Sequence, residues 1–178
     1  MKYTLTAEQQ IKASQVGQIR AERYWAQFSG TYTRKEDNPG DWNRLKSNFF
    51  EFCALQMESI AAEMVVGEYL GLPYGDLGDE RFKAQADVGS NIEVKWTKWA
   101  DGSLIIVPRD RSSDIAILVT GSCPTYYIKG WIPIAVAKQD RFKSSKDSSW
   151  WVGQLHLRSI DTYRRSSYAE NTMPNLQA

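Results

Sequence analysis

Between residues 91 and 97 the chain alternates: Ile92, Val94 and Trp96 are apolar, and Asn91, Glu93, Lys95 and Thr97 are polar. A period of two sends these sets to opposite faces of a β-strand. Upstream the period lengthens. Over residues 43–70, Leu45, Phe49, Phe52, Cys53, Met57, Ile60 and Met64 recur at helical spacing, which predicts one long helix with a core-facing stripe. Gly71 is placed to cap it, and Pro73 keeps it from resuming. Residues 7–28 predict an earlier helix, with a weaker stripe of Ile11, Val16, Ile19 and Ala26. The intervening residues 29–42 (SGTYTRKEDNPGDW) read as a loop.

Asp101-Gly102 is a hairpin-turn signal. It leads into residues 104–107, apolar on both faces and therefore expected at the centre of a sheet. Residues 115–119 predict another strand, and 126–128 and 131–136 two more. The polar tail after Thr162 is expected to fray. No repeat and no linker of shifted composition interrupts the chain. The expectation is therefore one α+β domain over 1–178, α/β-like in its strand content. Residues 1–42 would form an N-terminal helix and loop, 43–160 the core and 163–178 a polar tail, with the N-terminal helices packed on a central mixed β-sheet.

Composition narrows the function less. With 42% hydrophobic and 24% charged residues the chain is an ordinary globular one. No apolar run approaches the ~18–20 residues of a membrane span, and the first twenty residues lack a hydrophobic leader core. An intracellular, cytoplasmic location and no membrane partner are the expectations. Cys53 and Cys123 are expected as free thiols, Cys53 as a small core residue. The lone histidine, His156, excludes a multi-histidine metal site, so a catalytic metal would rest on carboxylates. A net charge of +1 leaves two basic stretches to serve as a nucleic-acid footprint: residues 138–146 (KQDRFKSSK), and Arg158 with Arg164 and Arg165. Either also fits a solvated surface.

The stretch that carries chemistry is Ala86-Asp87-Val88-Gly89-Ser90-Asn91-Ile92-Glu93-Val94-Lys95. Glu93 and Lys95 share a strand face. Taken alone, such a pair is a surface ion pair worth well under ~1 kcal/mol. Here, however, Gly89 and Ser90 can turn the chain and bring Asp87 beside Glu93. Two adjacent carboxylates repel, and a hard divalent cation that keeps several waters is their natural partner. A lysine two residues away can then reach the attacking water or the scissile phosphate and stabilise developing charge. Upstream, Glu63 borders the core stripe of the long helix, between Ile60 and Gly67. Gly67 costs roughly 1 kcal/mol against Ala inside a helix, which implies a close approach there. Glu58 and Glu68 read as solvated helix charges. Arg109 and Asp110 are either site support, phosphate contacts or a loop ion pair, and Asp114 begins the next strand. His156 reads as structural. Trp96, Trp99, Trp131, Trp150 and Trp151 could stack on bases, although at strand spacing they are more often core or sheet cover.

The order helix-Glu, Asp, Glu-x-Lys and further strands resembles the PD-(D/E)xK nuclease superfamily, and more narrowly small nuclease-like proteins of bacteriophages. The likeness rests on Glu63 seven residues before Leu70-Gly71, on Asp87-Val88-Gly89, and on Glu93-Val94-Lys95. Pro108-Arg109-Asp110, Gly130-Trp131-Ile132 and Leu157-Arg158 extend it over roughly residues 58–160. Ala86 stands where the motif's name has proline. The resemblance implies a restriction-endonuclease-like core and metal-dependent cleavage of phosphodiester bonds, in DNA rather than RNA, with Mg²⁺ or Mn²⁺. Carried over, Asp87 and Glu93 are direct metal ligands, Glu63 is a ligand through water or an anchor behind them, and Lys95 assists the attack. Arg109 and Arg158 become substrate contacts. It also implies the host cell's cytoplasm, if phage-encoded. A junction resolvase working as a homodimer would differ only in substrate. The rival is a nuclease-fold module with little or no activity that binds nucleic acid or a protein partner.

Overall fold

The computed structural model describes residues 1–27, 48–74 and 86–170. Strand β1 (Lys2–Thr4) leads into helix α1 (Ala7–Gln27). Thr6 and Gln9 start that helix reciprocally: the Gln9 N–H donates to Thr6 Oγ1, and the Thr6 N–H donates to Gln9 Oε1. Helix α2 (Phe49–Leu70) is capped by Asn48, whose side chain accepts from the Glu51 N–H. Gly71 ends it in the left-handed conformation at φ 71°, as its place in the sequence predicts.

The strands that follow are β2 (Ile92–Thr97), β3 (Leu104–Ile106), β4 (Ile115–Ser122), β5 (Thr125–Pro133) and β6 (Trp150–Val152). Three of them join β1 in a mixed sheet of order β1-β5-β4-β2, with β2 parallel to β4 and the other pairs antiparallel. Strands β3 and β6 form a separate antiparallel pair. Short helices α3 (Ile134–Ala137) and α4 (Ser167–Glu170) complete the fold. Strand β4 is apolar on both faces because both are covered. Ile115, Ile117 and Val119 join the core against α2, while Ala116 and Leu118 join a second core with Leu104, Ile106, Phe142 and Val152. Among the described strands β2 pairs with β4 alone and so lies at the edge of the sheet.

The α+β architecture and the mixed sheet agree with the sequence pattern, and several details differ. The buried stripe of α1 is Ala13, Val16, Gly17, Arg20 and Ala21, while Ile11 and Ile19 are exposed. Small residues win because the helices approach closely: a Cβ on Gly17 would lie 2.5 Å from Met57 Cα. The turn at Asp101-Gly102 closes with the Gly102 N–H donating to the Trp99 carbonyl. It is not a hairpin, because β3 pairs with the distant β6 and lies outside the main sheet. Residues 126–128 and 131–133 belong to one strand, β5, followed directly by α3. The segment after Thr162 packs instead of fraying up to the last described residues: Tyr163 is buried, and it and Tyr168 meet the Trp131 ring edge-on. Glu58 is not merely solvated, since it accepts from the Tyr126 hydroxyl at 2.6 Å. Leu45, residues 29–42 and the end of the tail lie outside the described residues. No described helix is long and apolar enough to cross a membrane, and both cysteines are free, Cys53 buried and Cys123 exposed.

Candidate active site

Asp87 reaches β2 through a tight reversal. Val88 and Ile92 exchange backbone hydrogen bonds at 3.1 and 3.3 Å, and Gly89 between them takes φ 59°. The Gly89 N–H donates to the Pro73 carbonyl at 2.7 Å, which fixes the turn to the end of α2. Folded back in this way, Asp87 Oδ2 accepts from the Val94 N–H at 2.7 Å. Alternation on β2 buries Ile92 and Val94 and leaves Glu93 and Lys95 half-buried on the opposite face.

Glu63 arrives from the buried half of α2, where the Gly67 position is filled by the Tyr74 ring; a Cβ there would come within 2.1 Å of it. Both Glu63 oxygens are taken by Arg20 of α1, Nη1 to Oε1 at 2.6 Å and Nη2 to Oε2 at 2.8 Å. On the other side of the site, Lys95 Nζ lies 3.0 Å from Asp110 Oδ1 and 3.7 Å from Glu93 Oε2. Asp110 Oδ2 accepts from the Val107 N–H, and Lys138 donates to the carbonyls of Pro108 and Asp110, holding that loop. Asp114 is paired with Arg111 at 2.6 Å.

The structure thus gathers a line of charges from α1 to the β3–β4 loop. Three of its carboxylates have a close cation: Glu63 has Arg20, Asp110 has Lys95 and Asp114 has Arg111. Glu93 shares Lys95 with Asp110 at the longer distance of 3.7 Å, and Asp87 makes no ion pair with a described residue. Burial, then the charge of Glu63, pushes Asp87 up to about 7 against the pull of the Val94 N–H, Lys95 and Arg20. Burial, then the charge of Asp87, pushes Glu93 up to about 7, with Lys95 opposing and Asp110 and Asp114 adding to the rise. Burial also disfavours the charge on Arg20, but its hydrogen bonds and attraction to Glu63 outweigh that and hold its pKa above the ordinary value.

No family model matches the chain, and the comparisons with curated proteins and with solved structures find no match. The chemistry of the site therefore carries the functional argument. Among the described residues no three His, Cys, Asp or Glu side chains form a ready metal cage. Asp87 and Glu93 still suit a cation that keeps most of its waters: both are oxygen donors, each is raised in proton affinity, and Asp87 Oδ1 and the Glu93 carboxylate accept no hydrogen bond.

The other sequence candidates sit apart from this centre or support it. Arg109 is exposed, next to Asp110. Arg158 lays its guanidinium over the Trp131 ring at 5.0 Å and pairs with Trp131 through the backbone. His156 is exposed and contacts Phe142 edge-on. Trp131 is core, whereas Trp99 and Trp151 are exposed. The apolar pattern of the sequence does not mark Arg20, and Lys138, part of the basic stretch 138–146, holds the Asp110 loop. For Arg20 the signal was a cation four residues from both Val16 and Tyr24, on the same helix face as the small residues Ala13, Gly17 and Ala21.

Proposed function

We propose that this chain is a metal-dependent phosphodiesterase acting on nucleic acid, with a restriction-endonuclease-like core of the PD-(D/E)xK type. The observation that supports it most is the pair Asp87 and Glu93: half-buried carboxylates, the charge of Asp87 acting on Glu93, both pushed up to about 7, with Asp87 Oδ1 and both Glu93 oxygens accepting no hydrogen bond from the described residues. Such a pair favours a positive charge, and its hard oxygens suit Mg²⁺ or Mn²⁺. Asp87 and Glu93 would hold the ion. When bound, a divalent ion supplies charge stabilisation at a phosphate and makes water a better nucleophile near neutral pH.

The remaining steps fall to the protein's own groups. Lys95 sits between Glu93 and Asp110, two residues along the strand from Glu93. Its ammonium would stabilise the negative charge that builds on a phosphate as the P–O bond breaks. Asp110 holds Lys95 in that position, and the Val107 N–H and Lys138 hold Asp110 and its loop. DNA in preference to RNA follows from the sequence resemblance alone.

A second reading has one observation in its favour. The 3.0 Å contact between Lys95 and Asp110 would also serve as a structural ion pair, in a module that binds nucleic acid or protein without cutting. Incubating the chain with plasmid, linear, single-stranded and branched DNA in Mg²⁺, Mn²⁺ or EDTA separates the two. Cleavage that needs metal supports the enzyme, and intact substrates under every condition replace it with the binding module.

A further inference from the structure

We infer that Arg20 is a positioning residue that withholds Glu63 from the cation, so that the ion is bound through Asp87 and Glu93 without help from Glu63. The inference rests on the metal-binding reading above and deepens it. Both Glu63 oxygens lie in the guanidinium fork at 2.6 and 2.8 Å, and the two side chains are only 3% and 10% exposed. Bidentate geometry of this kind is directional as well as strong. Ligation by Glu63 would compete with Arg20 for the same oxygens, and breaking the pair would strand a guanidinium in the α1–α2 interface, the costly way to break a buried pair. Gly17, one turn before Arg20, packs directly on Met57 and so brings α1 close enough for Arg20 to reach Glu63.

Glu63 nevertheless acts on the site through space. Its charge bears on Asp87 directly, and so does that of Arg20, with the opposite sign. Arg20 therefore does two things. It neutralises the helix glutamate behind Asp87, and it keeps that glutamate's oxygens out of the ion's coordination sphere.

The test is calorimetric titration of the full chain with Mn²⁺, comparing wild type, Asp87→Asn, Arg20→Gln and the double variant Arg20→Gln/Glu63→Gln. The double variant is decisive because it removes both charges together, leaving the local balance unchanged and no charge stranded. It should lose no more than about tenfold in Mn²⁺ affinity, the low end for a group outside a metal's coordination sphere, while Asp87→Asn should lose more than about a hundredfold. Arg20→Gln frees Glu63 and should bind Mn²⁺ more tightly or take up an additional ion, which a merely structural role for Arg20 would not produce. If that single variant fails to fold, the double variant still decides. A double variant as weak as Asp87→Asn would overturn the inference by making Glu63 a ligand, yet leave the metal-binding reading standing. Wild type that takes up no Mn²⁺, or Asp87→Asn that binds it as well as wild type does, would sink both.

Discussion

Lys95 has two carboxylates within reach, and what its removal does depends on which function its ammonium serves. In the proposed enzyme it matters mainly when phosphate is present. Lys95→Ala should then cut metal-dependent DNA cleavage by about two orders of magnitude or more, roughly 3 kcal/mol of transition-state stabilisation. DNA binding should fall far less, since one phosphate contact is a small part of a multi-contact interface. Cleavage and filter-binding assays on one preparation separate the two effects. Asp87 makes a different prediction. Its pKa is pushed up to about 7 in the fold, so the folded state holds a proton that the unfolded chain gives up at a lower pH. The stability this proton contributes is present in acid and is lost as pH rises from about 4 to about 7. Asp87→Asn carries no such charge and should therefore melt at a higher temperature than wild type at about pH 8 in EDTA, with a flatter pH profile. A wild-type melting temperature that climbs steadily from about pH 5 to about pH 8 would count against this electrostatic picture. Asp87, Glu93 and Lys95 were legible in the sequence because a strand and one tight turn relate them. Arg20 was not, because its partner lies 43 residues away and only the packing of two helices joins them.

Helix α1 was legible as a helix, but its buried face was misread, and the reason is close packing. Apolar bulk is a guide to burial only where neighbouring elements leave room for it. Along α1 the space belongs to Met57, so Ala13, Gly17 and Ala21 face inward and Ile11 is left outside. Gly17→Ala should accordingly destabilise the protein by about 1–3 kcal/mol despite its better helix propensity, seen as a lower urea midpoint. An unchanged or raised midpoint would mean that the helices can part without cost. The sheet was legible strand by strand where runs were long, as in β2 and β4. Pairing was harder. The turn after β2 looked like a hairpin, and nothing local in Leu104-Ile105-Ile106 marks Trp150-Trp151-Val152 as its partner. Such pairings are set by which faces the second core can cover, a property of the whole chain.

At the scale of the molecule, an ion held by Asp87 and Glu93 as proposed would link stability to cations. A cation that binds the folded state alone raises the melting temperature, by an amount equivalent to about 2.7 kcal/mol at a hundredfold excess over its Kd. Mg²⁺ and Mn²⁺ should therefore stabilise wild type at about pH 8, and Asp87→Asn should lose most of that effect. Scanning calorimetry with and without EDTA reads it, and an equal shift in both proteins would place the bound ion elsewhere. The main sheet, finally, has a consequence in time. Its edge strand β1 pairs with β5, Lys2 opposite Tyr127. On a ribosome β1 must wait for this pairing until β5 has been synthesised, and closing so long a loop is slow. Helices α1 and α2 can meet before then, so β1 is made before both helices and fixed after them.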